Sequence, residues 1–219
     1  MLCRSSLTAR SALFLGEKTS SKHEILLTPN IDHWFGKDDY GRDIYFRLVD
    51  GFINSFEIIL SVTIVTSFFG IFIGVLSGFI GGKFDQVIKF ITTLFMSFPG
   101  ILLAIAFAAI LTPGKLNLII ALSIGGWVGY ARLARAQTLL IKEQDFVKAS
   151  RSMGSSKSRI IFSHILPTIS TPLIVESTYA VAGLIIAEAS LSFLGLGLQP
   201  PEASWGGMMR DSVRYLLAA

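Results

Sequence analysis

Between Glu57 and Lys83 the chain reads IILSVTIVTSFFGIFIGVLSGFIGG, about 25 residues without one ionisable side chain. A second such run, FITTLFMSFPGILLAIAFAAILTPG, separates Lys89 from Lys115. The apolar stretch of a buried helix in a soluble domain rarely exceeds about 14 residues, whereas roughly 20 residues rising about 1.5 Å each cross a hydrocarbon core of about 30 Å. Each run is therefore long enough to span a bilayer. The first carries Gly70, Gly74 and Gly78 at every fourth position, which puts them on one helical face where a second helix can approach closely; the alternative is the ordinary enrichment of glycine in membrane helices.

The rest of the chain is consistent with a membrane protein. Of 219 residues, 52% are hydrophobic and only 16% charged, and 17 are phenylalanine, which argues against a soluble globular domain. The net charge of +4 brings no nucleic-acid partner with it, because the basic residues crowd into one inter-helical segment and no aromatic-interleaved basic patch exists. The single cysteine, Cys3, has no partner for an intramolecular disulfide, and no Cys/His spacing points to a metal.

Four spans are expected, over about residues 54–80, 88–111, 116–139 and from Pro167 onward. Pro99, in Phe98-Pro99-Gly100, is expected to kink the second span, since proline lacks a backbone donor and clashes with the preceding turn; a kink there lines a pathway or is a packing irregularity. The fourth span holds Glu176 and Glu188. A carboxylate at membrane depth costs about 2.5–3.5 kcal/mol, so Glu188 must face the bundle interior, water or a hydrogen-bonding partner. A structural role between helices is preferred there to a substrate contact.

Orientation follows the cations. Arg132, Arg135, Lys142, Lys148, Arg151, Lys157 and Arg159 collect between the third and fourth spans, so that segment is expected in the cytoplasm. Alternation then puts the 112–115 loop outside, the 81–85 turn inside, and the segment before residue 54 outside. The chain divides accordingly into a poorly defined stretch, 1–29, an external segment, 30–53, and a transmembrane core, 54–217, that includes the cytoplasmic loop 140–167. Residues 1–16 lack the long apolar core of a signal peptide, so an upstream segment is expected to be missing.

The cytoplasmic loop carries the functional reading. Asp145 is expected to cap a helix of two to three turns running through Phe146, Val147, Lys148, Ala149, Ser150 and Met153, with Gly154 ending it in the left-handed conformation. Ser155 or Ser156 can cap a second short helix, and Pro167 suits the first turn of the helix that re-enters the membrane. Phe146, Val147 and Met153 are then available to fill a partner's groove.

The spacing Ala149, Gly154, Leu166-Pro167 resembles the loop of ABC importer permeases, in which Glu-Ala-Ala is followed by three residues, Gly, nine residues, a hydrophobic residue, any residue and Leu-Pro. Lys148 stands at the Glu position, Ser150 at the second Ala, and His164 at the hydrophobic position; a histidine there looks like the dipeptide and oligopeptide branch. Gly36, Asp38, Gly41, Arg42 and Asp43 resemble that branch's external Gly-x-Asp-x-x-Gly-Arg-Asp segment. The run from Ala187 to Gly197 resembles its fifth helix, and Pro200-Pro201 with Ser204-Trp205-Gly206 the loop after it.

The resemblance, which covers about residues 30–217, implies an all-α integral membrane protein of the bacterial cytoplasmic membrane. It implies about four of the six helices of an ABC importer permease, the second through the fifth, and so a chain shortened at both ends that is not expected to transport alone. Lys148 forfeits the capping-box bond of the family's Glu. The loop is expected to dock on a cytoplasmic ATPase subunit as a coupling helix, and a homologous second permease and an external substrate-binding protein complete the assembly. No cofactor is expected on this chain: it lacks a G-x-x-x-x-G-K-[ST] loop, so ATP is hydrolysed by the partners. Dipeptides or oligopeptides are the leading cargo, nickel complexes the second, and a non-functional fragment the third reading. A membrane enzyme using Glu176, Glu188 and His164, or a stand-alone channel, are the alternatives of other classes.

Overall fold

A computed structural model describes residues 25–218, so Cys3 and most of the stretch assigned to 1–29 lie outside the described residues. Among these the structure is helical, with no strand beyond a single bridge between Lys37 and Asp43. In order it contains α1 (Ile44–Ile80), α2 (Gly82–Met96), α3 (Gly100–Ile110), α4 (Lys115–Ile141), α5 (Asp145–Ser152), α6 (Lys157–Phe193) and α7 (Trp205–Ala218). Three of them, α1, α4 and α6, are long and apolar enough to cross a membrane, and α2 with α3 would make a fourth crossing.

α1 begins ten residues before the first apolar span. Its start is set by Asp43, whose Oδ1 accepts the amide N–H of Tyr45 at 2.8 Å and of Phe46 at 3.4 Å. At 37 residues α1 is about 55 Å long, far more than a hydrocarbon core of about 30 Å, so its first turns stand clear of the membrane. Apolar composition locates the membrane crossing, not the helix end.

The glycine face of α1 lies against α4. A Cβ at Gly70 would fall 2.5 Å from the Trp127 carbonyl oxygen, at Gly74 2.3 Å from that of Ala131, and at Gly78 2.8 Å from that of Arg135. The contact is therefore backbone against helix over two turns, which only residues without side chains permit. Two clusters flank it. Ile58, Val62, Leu118, Leu122 and Leu191 fill the end expected outside, and Val75, Tyr130, Val147, Ile165 and Ile169 fill the end expected in the cytoplasm. Phe68, Phe72, Phe90 and Ile110 remain exposed, as side chains that face lipid or neighbouring helices do.

The second span is broken rather than kinked. α2 and α3 meet at 84° across Ser97-Phe98-Pro99, with Pro99 in extended conformation at the N-cap of α3. The missing proline donor falls where the new helix would have an orphan N–H anyway, so the chain turns sharply at little cost.

The segment 25–43 folds around one carboxylate. Asp38 accepts the amides of Tyr40 and Arg42, each at 2.9 Å, Arg42 Nε at 2.8 Å, and Arg47 Nη1. Gly36 and Gly41 both take positive φ, and at Gly36 a Cβ would overlap the Leu27 carbonyl oxygen. Burial works to raise the Asp38 pKa, but the Arg42 and Tyr40 amides and the Arg47 and Arg42 guanidiniums outweigh it and hold the carboxyl below its ordinary 3.8. A depressed folded pKa stabilises above the unfolded value and is lost as pH falls through the folded one. Hydrogen exchange at the Tyr40 and Arg42 amides is thus expected to accelerate as pH drops below about 4, after correction for intrinsic rates, and Asp38→Asn to remove that pH dependence.

Candidate functional site

At the end of the bundle that the sequence assigns to the cytoplasm, α4 and α6 are joined by α5 and its turns. Lys142 Nζ donates to the Gly78 carbonyl at 2.9 Å, which ties the exit of α4 to α1. α5 is then entered through Gln144, not Asp145. Gln144 holds the N-cap position with extended φ and ψ and makes no side-chain capping bond, while its carbonyl accepts Val147 N and Lys148 N, each at 3.1 Å. Asp145 is the first helical residue, where its charge still favours the positive end of the helix.

That one-residue shift changes the meaning of Lys148. The position that would reciprocate a cap falls on Val147, so Lys148 forfeits no capping-box bond. Its ammonium lies 3.5 Å from Glu143 Oε2, a pair exposed enough to contribute less than about 1 kcal/mol. The charge is nonetheless locally balanced.

Val147 does not face a partner. It is 0% exposed, packed with Ile160, Ile165 and Ile169, and serves as the anchor that holds α5 to the bundle. Phe146 and Met153, at 48% and 80% exposure, point outward, and Ala149 is exposed beside them. The sequence treats all three apolar residues alike because a helix of eight residues is too short for periodicity to choose its face.

Gly154 ends α5 with φ +82, and Ser155 N returns to the Ser150 carbonyl at 3.1 Å. Ser156, not Ser155, caps the next helix, accepting Arg159 N at 3.3 Å. Helix α6 then runs without interruption into the membrane. Pro167 falls, as expected, in the first turn of the regular stretch Leu166–Phe193, and a π-helical turn over Ile161–Ile165 joins that stretch to the residues before it without a break.

Glu188 is 1% exposed, deep in α6, and its Oε1 accepts the Ser192 hydroxyl at 2.8 Å. The two residues stand four apart on one helical face, a spacing already present in the sequence that marks Ser192 as the partner. Glu176 faces α4, where a Cβ at Gly129 would lie 2.8 Å from its Oε1. His164 bonds instead to Ser150 at the loop. The three groups of the enzyme reading thus have separate surroundings, and among the described residues no group of three or more acidic, histidine or cysteine side chains could hold a metal ion.

Sequence reasoning leaves Gly36, Asp38, Gly41, Arg42 and Asp43 without a role. The structure supplies one: they build the folded cap that starts α1. His33 Nδ1 adds a 2.7 Å contact to Asp43, and Arg47 reaches Asp211 in α7 at 3.7 Å. An aspartate directly before a long apolar helix was the available signal.

Long apolar helices, small-residue packing, a buried carboxylate and a structured polar loop are the core of a polytopic membrane protein. Residues 70–219 match the family described as the binding-protein-dependent transport system inner membrane component, and the chain belongs to that family. It is accordingly a multi-pass protein of the bacterial inner membrane, in a family of transport permeases rather than enzymes. It is 39% identical over 191 residues to the dipeptide transport system permease protein DppC of Alkalihalophilus pseudofirmus, covering 87% of this chain and 63% of that protein. It is 39% identical to the oligopeptide permease OppC of Bacillus subtilis, covering 86% and 62%, and 41% identical to the glutathione permease GsiD of Escherichia coli O6:K15:H31, covering 84% and 61%. The chain thus spans a little over three fifths of the length of these relatives. An inward-facing structure of the MetNI methionine ABC transporter shares the fold, with a TM-score of 0.57 at 23% identity over 79% of this chain and 88% of that one.

Proposed function

We propose that the chain is a permease subunit of an ATP-driven importer whose cargo is a dipeptide or oligopeptide. ATPase motion enters through α5. The observation that carries this reading is the division of labour in α5: Val147 is buried as an anchor while Phe146 and Met153 stand outward on a helix fixed at the end of the bundle expected in the cytoplasm. Asp145, Phe146, Lys148, Ala149 and Met153 form the docking face, and Gly154, Ser150, Leu166 and Pro167 hold it in place. The ATPase subunits hydrolyse the ATP, and this chain binds no cofactor. A second, homologous permease completes the pathway, and a binding protein delivers cargo from outside.

Peptide cargo is preferred to a nickel complex because the three relatives are named for dipeptide, oligopeptide and glutathione transport. Pro99 and the 84° break it caps line the path or its gate. Glu188, bonded within its own helix, is structural.

The docking reading is tested by Phe146→Glu with Met153→Glu. Each change removes an exposed apolar anchor and leaves Val147 untouched, so the chain is expected to accumulate normally. Co-purification of its ATPase subunit should fall roughly 10–100-fold, the effect of losing about 1.5–3 kcal/mol of anchor burial. Undiminished ATPase retention would sink the assignment of α5.

A further inference from the structure

We propose that Ser150 and His164 are positioning residues that latch α5 to α6, so that force applied to the docking helix reaches the membrane helix without slack. The proposal rests on the docking role of α5.

The geometry is local and specific. Ser150 is buried on the inner face of α5, and its Oγ lies 3.0 Å from Ser155 Oγ and 3.2 Å from His164 Nε2. A hydroxyl donates to a bare Nε2 or accepts from an Nε2–H, so the bond needs no particular tautomer. The Phe146 ring closes over the imidazole in edge contact, with centroids 6.0 Å apart. Its neighbour Val147 is inserted into the cluster formed by Ile160, Ile165 and Ile169. His164 therefore touches both the face of α5 that is held and the aromatic that is exposed.

The π turn gives His164 this position. It lies inside Ile161–Ile165, and a π turn accommodates one extra residue, which rotates the helix beyond it by about 100° relative to a regular one. From there α6 continues unbroken to Phe193 and carries both Glu176 and Glu188. A displacement of α5 thus has a stiff path into the bundle, with the Ser150–His164 bond as its polar joint.

A hydroxyl buried without a partner would be penalised, and the buried Ser150 has two, Ser155 and the half-buried His164.

The test has two readouts. In the full chain in lipid nanodiscs, His164→Ala and Ser150→Ala are each expected to raise hydrogen exchange in residues 148–152 roughly fivefold, the effect of one net hydrogen bond, while leaving residues 166–193 unchanged. His164→Gln, which keeps a polar group near Nε2, should restore protection. In the transporter reconstituted with its own ATPase and second permease, His164→Ala should retain the ATPase yet lower uptake per ATP roughly fivefold, with His164→Gln recovering it. If His164→Ala disturbs α6 as a whole, the smaller Ser150→Ala change decides. Unchanged uptake per ATP with the ATPase retained overturns the latch and leaves docking intact, whether or not exchange rises. A wild-type chain that retains no ATPase overturns the docking reading and the latch with it.

Discussion

Gly74→Leu is expected to separate α1 from α4 and to remove the folded protein from the membrane fraction. A Cβ alone at this position would lie 2.3 Å from the Ala131 carbonyl oxygen and 2.9 Å from Ala134 Cβ. Neither atom can step aside, since the first belongs to helix backbone and the second is fixed to it, so the helices themselves must part. Overpacking by one or two methylenes in a core costs about 1–3 kcal/mol, and a whole isobutyl group against backbone exceeds that range. Gly183→Ala is the control, because nothing lies within 4 Å of a Cβ there. It should be neutral or stabilising by up to about 1 kcal/mol through helix propensity alone. Thermal unfolding in detergent, read by loss of monodisperse protein, compares the two. A Gly74→Leu protein as stable as Gly183→Ala would refute the close backbone approach.

The second large effect is expected at Asp85. Arg135 donates Nε and Nη2 to its two carboxylate oxygens, the latter at 2.6 Å, and Ser77 Oγ donates to Oδ1 at 2.7 Å. This joins α2 to α4 and α1 at the end of the bundle that carries α5, beside the point where Lys142 also holds α1. Both side chains are largely but not wholly withdrawn from water, at 16% and 25% exposure. Asp85→Ala leaves the guanidinium facing a serine with no counter-charge, at an expected cost of ~2–4 kcal/mol, somewhat below a fully buried pair. Asp85→Asn should cost less because it retains one acceptor. The double variant with Arg135→Ala should be less damaging than the sum of the singles, which a mutant cycle in the same unfolding assay measures. Additive losses would show that the two groups do not act as a unit.

These two sites mark the boundary of what the chain discloses by itself. The apolar runs after Glu57 and Lys89, the cation-rich stretch from Arg132 to Arg159, and the glycines at every fourth position are properties of the chain read residue by residue. They locate the apolar crossings and put the small residues on one face of α1, because hydropathy and helical periodicity are local. Gly154 at φ +82 belongs with them, since its conformation is set by its own missing side chain.

Other features depended on residues distant in sequence. Val147 and Phe146 are adjacent apolar residues, and only the packing of Ile160, Ile165 and Ile169 decides that the first is anchored and the second left outside. Gln144, not Asp145, holds the cap, and with it Val147 turns into the bundle. The turn at Pro99 was legible as a disturbance, but its 84° depends on where α2 and α3 find partners. Sequence by itself determined that the long apolar helices exist and about where they lie, because hydropathy sums over neighbours along the chain. The tertiary structure alone decided which side chains became anchors, latches or exposed contacts, because burial is a property of what the other helices bring to the same place.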